Sequence, residues 1–313
     1  MEFKVKKIIL KTDKDFFIVL SKKKLEKFLF LTSIDFKKKA FSSIFLNPFY
    51  FFDILIIFTK SVIRKVFGVK PALSEYSLMK RISSTPYFDK IIELNLIFND
   101  SQKVNFNMNN FHLFNLTGDI IGIFVKNQYN INSEKIKGKI ILDCGAHHGA
   151  FSFLCILLGA KKVYSFEPLS KTFEILNENI KLNKFEKNIL SFKNAIGNES
   201  SSEKIFFDNI ADGSASLNKV HGKFELVKVI GLDDFIKKNN LKDVGLIKMD
   251  IEGNEEKALL GAKNLIHKDK PILTLSAYHK ADDKIVLPRV IKSLNKNYKI
   301  KLLNRFEEDF YCE

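Results

Sequence analysis

Cysteine is scarce in this chain, and the patterns that would assign it to several common classes are absent. The three cysteines, Cys144, Cys155 and Cys312, include no CxxC pair. This excludes a disulfide framework and a zinc cluster built on CxxC pairs, and it favours a cytoplasmic protein. No signal peptide pattern is visible, because the long apolar stretch begins only at Ala40 and no small-residue cleavage site follows it.

Acidic residues are few in the amino-terminal region. The formal net charge is +15, and residues 1–70 hold 16 Lys and Arg against six Asp and Glu. Such a region could meet nucleic acid, an anionic membrane or an acidic substrate. A lysine-rich background without a specific partner explains the excess equally well, since lysine enrichment alone does not specify a partner.

The longest apolar stretch, residues 40–58, reads AFSSIFLNPFYFFDILIIF. Its length is close to the ~20 residues that a spanning helix needs, but Pro48 and Asp53 interrupt it. Basic residues follow at once. One interpretation is a helix that lies on an anionic membrane, so that residues 40–65 make a peripheral contact at its inner face. We favour the alternative, an aromatic-rich helix packed on the main domain or on a second subunit of an oligomer.

From residue 138 onward, apolar runs of strand length alternate with helical patterns. This alternation predicts an α/β fold with a doubly wound, mostly parallel, Rossmann-like sheet. We expect a main domain over residues 101–313, with its core at 129–280, and a basic, aromatic-rich and α-rich extension over residues 1–100. Within the extension, residues 8–20 allow either a strand pair or a helix. The predicted strands are 139–142, 162–166, 190–195, 204–208, 225–230, 246–249 and 271–276, and the predicted helices are 150–158, 171–183, 232–239, 255–266 and 286–296.

The segment DCGAHHG, residues 143–149, follows the first of these strands and precedes a helix. A strand that turns tightly into a helix leaves free backbone N–H groups that attract polar ligands, and Gly145 and Gly149 let a ligand approach the backbone. Asp143 at the strand tip suits a cation or a hydroxyl and would repel a pyrophosphate. The GxGxxG pattern is missing, which disfavours a dinucleotide-dependent oxidoreductase.

Polar groups also follow the later strands. Glu167 comes at the end of the next strand, about 20 residues after the glycine loop, where an acid can accept hydrogen bonds from both ribose hydroxyls of a nucleoside. A nucleoside joined to an amino-acid tail and a sulfonium describes S-adenosylmethionine. The third strand ends at Asn194-Ala195, the fourth at Asp250-Ile251-Glu252 and the fifth near His279.

Residues 129–278 resemble the FkbM family of S-adenosylmethionine-dependent methyltransferases. The segments that carry the resemblance are ILDCGAHHGAFS, VYSFEP, NAIG, GSASL, VIGLDDFI, LIKMDIEGNEEKALLGA and KPILTLSAYH. The resemblance implies the Rossmann-like fold of class I methyltransferases and methylation of oxygen, often on sugars or small metabolites. Where the family most often has Asn in the first loop, this chain has His147-His148, a change that could alter the lip of the pocket.

The resemblance also implies roles for individual residues. Asp143, with the loop residues Gly145, Ala146 and Gly149, would hold the methionine end of the cofactor. Glu167 would bind the ribose between Phe166 and Pro168, and Asn194 and Ala195 would contact the adenine. Asp250 would lie at the pocket mouth, near the transferred methyl group.

The remaining assignments concern the acceptor. Asp250 is predicted to orient or deprotonate the acceptor hydroxyl. Glu252 could share that role, or it could cap the following helix and pair with Lys248. His279 could be a general base or a structural histidine. Asp250, Glu252 and His279 could converge on a metal ion, but no ligand spacing demands one, and we predict none.

Two further functions stay open. A nucleic-acid methyltransferase is suggested by the basic amino-terminal region, although Asp-Ile-Glu-Gly at the fourth strand tip argues against methylation of base amines. A non-catalytic binding module could keep the same fold, although the intact set of Asp143, Glu167 and Asp250 argues against it. We expect a small-molecule or glycan acceptor and no nucleic acid.

Overall fold

The computed structural model describes residues 5–12, 17–21, 91–98, 102–107, 121–207, 216–218 and 222–313. The chain divides into two compact units: one comprises Val5–Lys103 with Met108–Phe114, and the other holds Met1–Lys4, Val104–Asn107 and Asn115–Glu313. The apolar stretch at 40–58 lies outside the described residues. None of the described helices is long and apolar enough to cross a membrane.

The first unit contains an antiparallel arrangement of strands. β1 (Val5–Thr12) pairs with β2 (Phe17–Ser21) and with β3 (Ile91–Phe98). The described residues 8–12 and 17–20 therefore belong to a strand pair rather than a helix. The α-rich character predicted for residues 1–100 is not found in their described parts, which are all strands. Half of β1 consists of Val, Ile and Thr, the β-branched residues that favour strands.

The second unit includes most of β4 (Lys103–Asn107), which is held by side chains of the main domain. Asn183 accepts a bond from the Asn105 N–H at 2.8 Å and donates one to the Asn105 carbonyl at 2.7 Å. The ring of Phe106 packs against Phe153, with 5.4 Å between centroids. Ile121–Val125 forms one π-helical turn.

A seven-stranded sheet forms the core of this unit, in the order β13-β14-β12-β11-β5-β6-β7. Its strands are β5 (Ile140–Cys144), β6 (Lys162–Phe166), β7 (Ile189–Phe192), β11 (Val244–Met249), β12 (Ile272–Ser276), β13 (Ile300–Asn304) and β14 (Glu308–Cys312). The neighbours from β12 to β7 are parallel, and β14 runs antiparallel to both β12 and β13. This confirms the predicted doubly wound, mostly parallel, Rossmann-like sheet. Strand order reverses between β5 and β11.

The helices of this unit are α1 (Ser133–Ile136), α2 (Ala150–Leu157), α3 (Ser170–Leu182), α4 (Leu232–Lys238), α5 (Glu255–Leu260), α6 (Lys263–Asp269) and α7 (Asp283–Leu294). The prediction of a single helix over 255–266 is wrong, because one helix ends at Leu260, just before Gly261, and a second begins at Lys263. A Cβ at Gly261 would lie 2.1 Å from the Gly197 carbonyl oxygen, so the junction is pressed against a neighbouring backbone. The Asp233 carboxylate then starts α6 by accepting from the N–H groups of Asn264 and Leu265.

The unit that holds the seven-stranded sheet also contains a three-stranded sheet, in the order β8-β10-β9. β8 (Ala195–Gly197) runs parallel to β10 (Lys223–Gly231), which is antiparallel to β9 (Ser201–Phe207). The strand predicted over 190–195 is therefore two strands in two sheets, separated by a turn in which Asn194 N–H donates to the Phe192 carbonyl. Apolar periodicity does not report such a change of sheet.

The central strands of the main sheet are buried, which explains their apolar runs. Leu246, Ile247 and Met249 of β11 are all fully buried. Polar side chains nevertheless lie in this interior near the strand ends, namely Asp143, Lys248, Thr274, Ser276 and Asp309. Buried polar groups need partners, so these residues direct attention to the carboxyl edge of the sheet.

Candidate active site

The carboxyl ends of parallel strands β5, β6, β11 and β12 meet at one edge of the sheet. This edge includes the β5/β11 reversal in strand order, the position where open α/β sheets bind ligands. Asp143, Glu167, Asp250 and His279 lie at or just beyond these four strand ends. The structure therefore brings the predicted acids and the predicted histidine to one edge.

The loop after β5 is fixed by backbone hydrogen bonds. The N–H groups of Gly145 and Ala146 both donate to the Phe166 carbonyl, at 3.0 and 2.9 Å. Gly145 has φ +79°, and a Cβ there would lie 1.9 Å from the Asp250 carbonyl oxygen. The chain that follows β11 therefore occupies the position that a side chain at Gly145 would need, and the approach of a ligand to this glycine stays a prediction. Gly149, at φ 92°, begins helix α2.

Asp143 is fully buried at the end of β5 and is engaged by the protein itself. Its Oδ2 accepts a bond from the Ser152 hydroxyl at 2.6 Å, and its Oδ1 lies 3.3 Å from Lys248 Nζ. Burial raises the pKa of Asp143, although the Lys248 charge and the Ser152 bond act against that rise. Its contact with the methionine end of a cofactor stays a prediction.

Glu167 is the group whose geometry best fits a cofactor. It is buried, its Oε2 accepts from the His147 N–H at 3.1 Å, and its Oε1 accepts from the Leu169 N–H at 3.1 Å. Burial raises the pKa of Glu167, against the effect of nearby His147 and these two bonds. A carboxylate oxygen can accept two hydrogen bonds, so each oxygen keeps capacity for one hydroxyl of a ribose diol.

The other predicted cofactor residues lie around Glu167 with different surroundings. The ring of Phe166 is in the core, 4.9 Å from that of Phe235, while Pro168 is half-buried. Asn194 follows β7 and donates to the Lys228 carbonyl at 3.3 Å, and Ala195 is buried in β8. The Phe166 side chain thus packs the sheet, and its carbonyl holds the glycine loop. The contacts predicted between a cofactor and these residues stay predictions.

Lys248 places a positive charge beneath the site. Its side chain is buried, and Nζ donates to the Gly145 carbonyl at 2.6 Å. The same atom lies 3.3 Å from Asp143 Oδ1 and 4.0 Å from Asp250 Oδ2. This lysine therefore links the glycine loop to the acids of two adjacent strand ends.

Asp250 is held as a carboxylate. Its Oδ2 accepts from the Tyr129 hydroxyl at 2.8 Å, and its Oδ1 lies 3.4 Å from His279 Nε2. Burial raises the pKa of Asp250, but Lys248, His279 and the Tyr129 bond outweigh burial and lower it below its usual range. A carboxylate with a lowered pKa is a poor proton acceptor, so this arrangement favours an orienting role over deprotonation.

His279 lies among three carboxylates. Its Nδ1 is 2.9 Å from Glu255 Oε1, and its Nε2 is 3.4 Å from Asp250 and 3.9 Å from Glu252. Burial lowers the pKa of His279, but the Glu255 bond and the Asp250 charge raise it to about 9. The predicted convergence of Asp250, Glu252 and His279 is present. Within the described part of the chain, no group of three or more His, Cys, Asp or Glu residues is arranged to hold a metal ion.

The sequence assigned no role to Tyr129 or Glu255, and it named Lys248 only as a possible partner of Glu252. Lys248 had a signal, since it is a charge inside an otherwise apolar strand, and Glu255 follows the Asp-Ile-Glu-Gly segment by two positions. Tyr129 had no comparable signal, because it lies 121 positions before Asp250 and no local pattern links them. The assembled site can bind a polar, hydroxyl-bearing molecule and exchange a proton with it.

The chain matches one family model and is similar to several known proteins. A model of the methyltransferase FkbM domain matches residues 143–300, slightly more than half of the chain. An FkbM methyltransferase structure from Methylobacillus flagellatus KT is 23% identical, with a TM-score of 0.44, over 63% of this chain and 53% of that one. A Streptococcus mutans protein described as a methyltransferase, crystallised with SAH, is 13% identical, with a TM-score of 0.38, over 60% of this chain and 96% of that one.

Among curated proteins, protein arginine N-methyltransferase 6 from Danio rerio is 36% identical over 74 residues, which are 24% of this chain and 21% of that protein. The chain thus spans about a fifth of that relative, and about half of the Methylobacillus structure. The family match includes both the glycine loop after β5 and the acidic segment after β11. The chain belongs to the FkbM family of S-adenosylmethionine-dependent methyltransferases.

Proposed function

We propose that this protein binds S-adenosylmethionine and transfers its methyl group to a hydroxyl oxygen of a sugar, a glycan or another hydroxylated metabolite. The observation that carries the proposal is the polar set at the carboxyl edge: His279 lies against Asp250, and Asp250 follows β11, which is two strands from β6, the strand before Glu167. In this set, Glu167 suits a ribose diol. Asp250 and His279 suit an acceptor hydroxyl that must be oriented and must lose a proton.

The cofactor side is supported by the free capacity of Glu167. Its two oxygens are already fixed by backbone N–H groups, so the carboxylate is preorganised for two further donors. The glycine loop, with Gly145, Ala146 and Gly149, would hold the methionine end, and Asn194 and Ala195 would lie near the adenine. The bound cofactor supplies the reactive methyl group on a sulfonium that carries its own leaving group.

The acceptor side is supported by the division of roles between Asp250 and His279. Asp250, ionised and fixed by Tyr129, would accept a hydrogen bond from the acceptor hydroxyl and orient its oxygen. Neutral His279 would take the hydroxyl proton at Nε2. Because this histidine is charged below about pH 9 in the unliganded protein, we expect kcat/KM to rise with pH until His279 is deprotonated.

Calorimetric titration of the full chain with S-adenosylmethionine, and separately with NAD, tests the cofactor. We expect binding of S-adenosylmethionine alone, and a loss of at least about tenfold in affinity in Glu167→Ala, which corresponds to about 1.4 kcal/mol. Glu174→Ala is the matched control, because Glu174 is an exposed glutamate on helix α3. Absence of S-adenosylmethionine binding by folded wild-type protein would refute the proposal and leave a binding module.

The acceptor is tested with S-adenosylmethionine labelled in its methyl group. We expect label to pass to sugars or other hydroxylated metabolites as a base-stable ether, and not to RNA or DNA. Transfer to nucleic acid would instead support the alternative suggested by the basic amino-terminal region. Base-labile label would indicate a carboxyl acceptor and would contradict methylation of a hydroxyl group.

A further inference from the structure

The imidazole of His279 is held by a carboxylate that is itself completely buried. Glu255 has no exposed side-chain surface, and His279 has 6% of its side chain exposed. The distance from Glu255 Oε1 to His279 Nδ1 is 2.9 Å, whereas Asp250 Oδ1 lies at 3.4 Å from the opposite nitrogen, Nε2. The ring therefore has a hydrogen-bonded carboxylate on its inner side and a more distant one on the side of the predicted acceptor.

The same Glu255 oxygen also fixes the chain that carries Asp250. Oε1 accepts from the Ile251 N–H at 3.0 Å, and Ile251 directly follows Asp250. Glu255 is the first residue of helix α5, so its backbone is anchored by that helix. One buried oxygen thus sets the position of the imidazole relative to the loop that holds the Asp250 carboxylate.

We propose that Glu255 is the positioning residue of His279: it holds Nδ1, so that Nε2 is the nitrogen that takes the acceptor's proton. In this step the O–H bond of the acceptor breaks, an N–H bond forms at Nε2, and the positive charge of the imidazolium is stabilised by Glu255. The inference rests on the proposed methyl transfer to a hydroxyl group. Glu255 does not touch the acceptor in this arrangement and acts only through His279.

The charged groups around His279 come from three elements. Asp250 and Glu252 face it from the loop after β11, Glu255 from α5, and Asp283 from α7. The neighbouring Tyr278 ring lies 4.4 Å from the imidazole. Burial lowers the pKa of His279, and the bond to Glu255 opposes burial more strongly than any other group. Loss of the Glu255 charge should therefore move the titration of this ring more than loss of a more distant acid.

Nuclear magnetic resonance of histidine-labelled full-length protein, without cofactor or acceptor, tests the contact directly. The His279 signal is assigned with His279→Gln. In Glu255→Gln, which keeps an oxygen for the Ile251 N–H, we expect the His279 pKa to fall by about 1–3 units. Glu255→Asp should restore part of the shift. Glu256→Gln removes the same charge one position along the helix and should leave the titration unchanged.

An unchanged His279 pKa in Glu255→Gln overturns the proposal. So does a wild-type His279 that titrates at or below its ordinary value of about 6.5, and this outcome can be read even if the variant does not fold. In the transfer assay, the rising limb of kcat/KM should move to lower pH in Glu255→Gln, whereas a merely structural effect would lower the rate equally at every pH. The titration needs no ligand, so failure of S-adenosylmethionine to bind is recognised separately.

Discussion

Among single residues, Tyr129 shows how the site recruits a group from outside its motifs. Its hydroxyl donates to Asp250, and its ring meets Phe151 edge-on at 5.2 Å between centroids. The ring is thus fixed by the helix after the glycine loop, while the hydroxyl serves the acid after β11. Tyr129 connects the two most recognisable segments of the chain without belonging to either.

Replacement of Tyr129 by Phe should therefore cost more than loss of an ordinary tyrosine hydroxyl. The bond goes to a charged acceptor, so we expect a loss of about 1.5–3 kcal/mol in the free energy of unfolding, measured by urea denaturation. Tyr298→Phe is the matched control, because Tyr298 is also buried and donates to a neutral carbonyl, that of Pro271, at 2.6 Å. Equal costs for the two variants would contradict a special role for the Asp250 contact.

Among the elements, the junction of α5 and α6 depends on close backbone approach. The Gly261 Cα faces the carbonyl oxygens of Gly197 and Asn198, and an added Cβ would lie 2.1 and 2.9 Å from them. The Gly261 carbonyl in turn accepts from the Asp233 N–H at 2.8 Å. This glycine lets α5, which carries Glu255, lie directly against β8.

Gly261→Ala should push α5 away from β8, because the Gly197 carbonyl belongs to β8 and the Asn198 carbonyl directly follows that strand. We expect a loss of about 1–3 kcal/mol or more in the free energy of unfolding from this overpacking, measured by thermal and urea unfolding. The control is Gly138→Ala. Gly138 has φ +72° and nothing within 4 Å of its added Cβ, so that variant reports backbone strain alone. Gly261 itself has φ −74°, where alanine is not strained, so a Gly261→Ala variant as stable as the wild type would show that the junction can relax.

For the whole molecule, the acidic carboxyl edge makes stability depend on pH. The folded pKa of His279 is raised to about 9, above the unfolded value of about 6.5. The native state therefore holds more protons than the unfolded state in this interval. The resulting stabilisation is complete below about pH 6.5 and is lost as the pH rises through 9. Burial, with the charges of Asp250 and Glu307, raises the pKa of Asp309 to about 7, which acts in the same direction between about pH 4 and 7.

We expect the free energy of unfolding of the wild type to decrease from pH 6.5 to pH 9.5 relative to that of His279→Gln. Urea denaturation of both proteins at several pH values in this interval measures the difference. The comparison cancels groups that titrate alike in the two proteins. A constant difference across the interval would mean that His279 is not charged in the folded protein at neutral pH.

Much of the main sheet could be predicted because its signals are local. The runs at 162–166 and 246–249 are mostly apolar, and the glycines at 145 and 149 mark the turn into α2. Local signals failed where a neighbour decided the conformation: at Gly261, where β8 breaks the predicted helix, and at Asn194, where the chain leaves one sheet for another. β13 and β14 were not predicted either. β13 lies at the edge of the sheet, where exposed residues weaken the apolar pattern. β14 is buried between β13 and β12, but its sequence, EDFYC, begins with two acids.

Local hydrophobic periodicity and the chemistry of glycine were sufficient to predict the alternation of strands and helices and the acids at the strand ends. The quoted motifs then indicated the family. Each of those features depends on a few neighbouring residues. The bonds from Tyr129 to Asp250, from Lys248 to Asp143 and from Glu255 to His279 depend instead on strand order and register, which bring distant segments to one edge. Long-range contacts lower the pKa of Asp250 and raise that of His279, and so they, rather than the motifs, divide the proposed roles between these two residues.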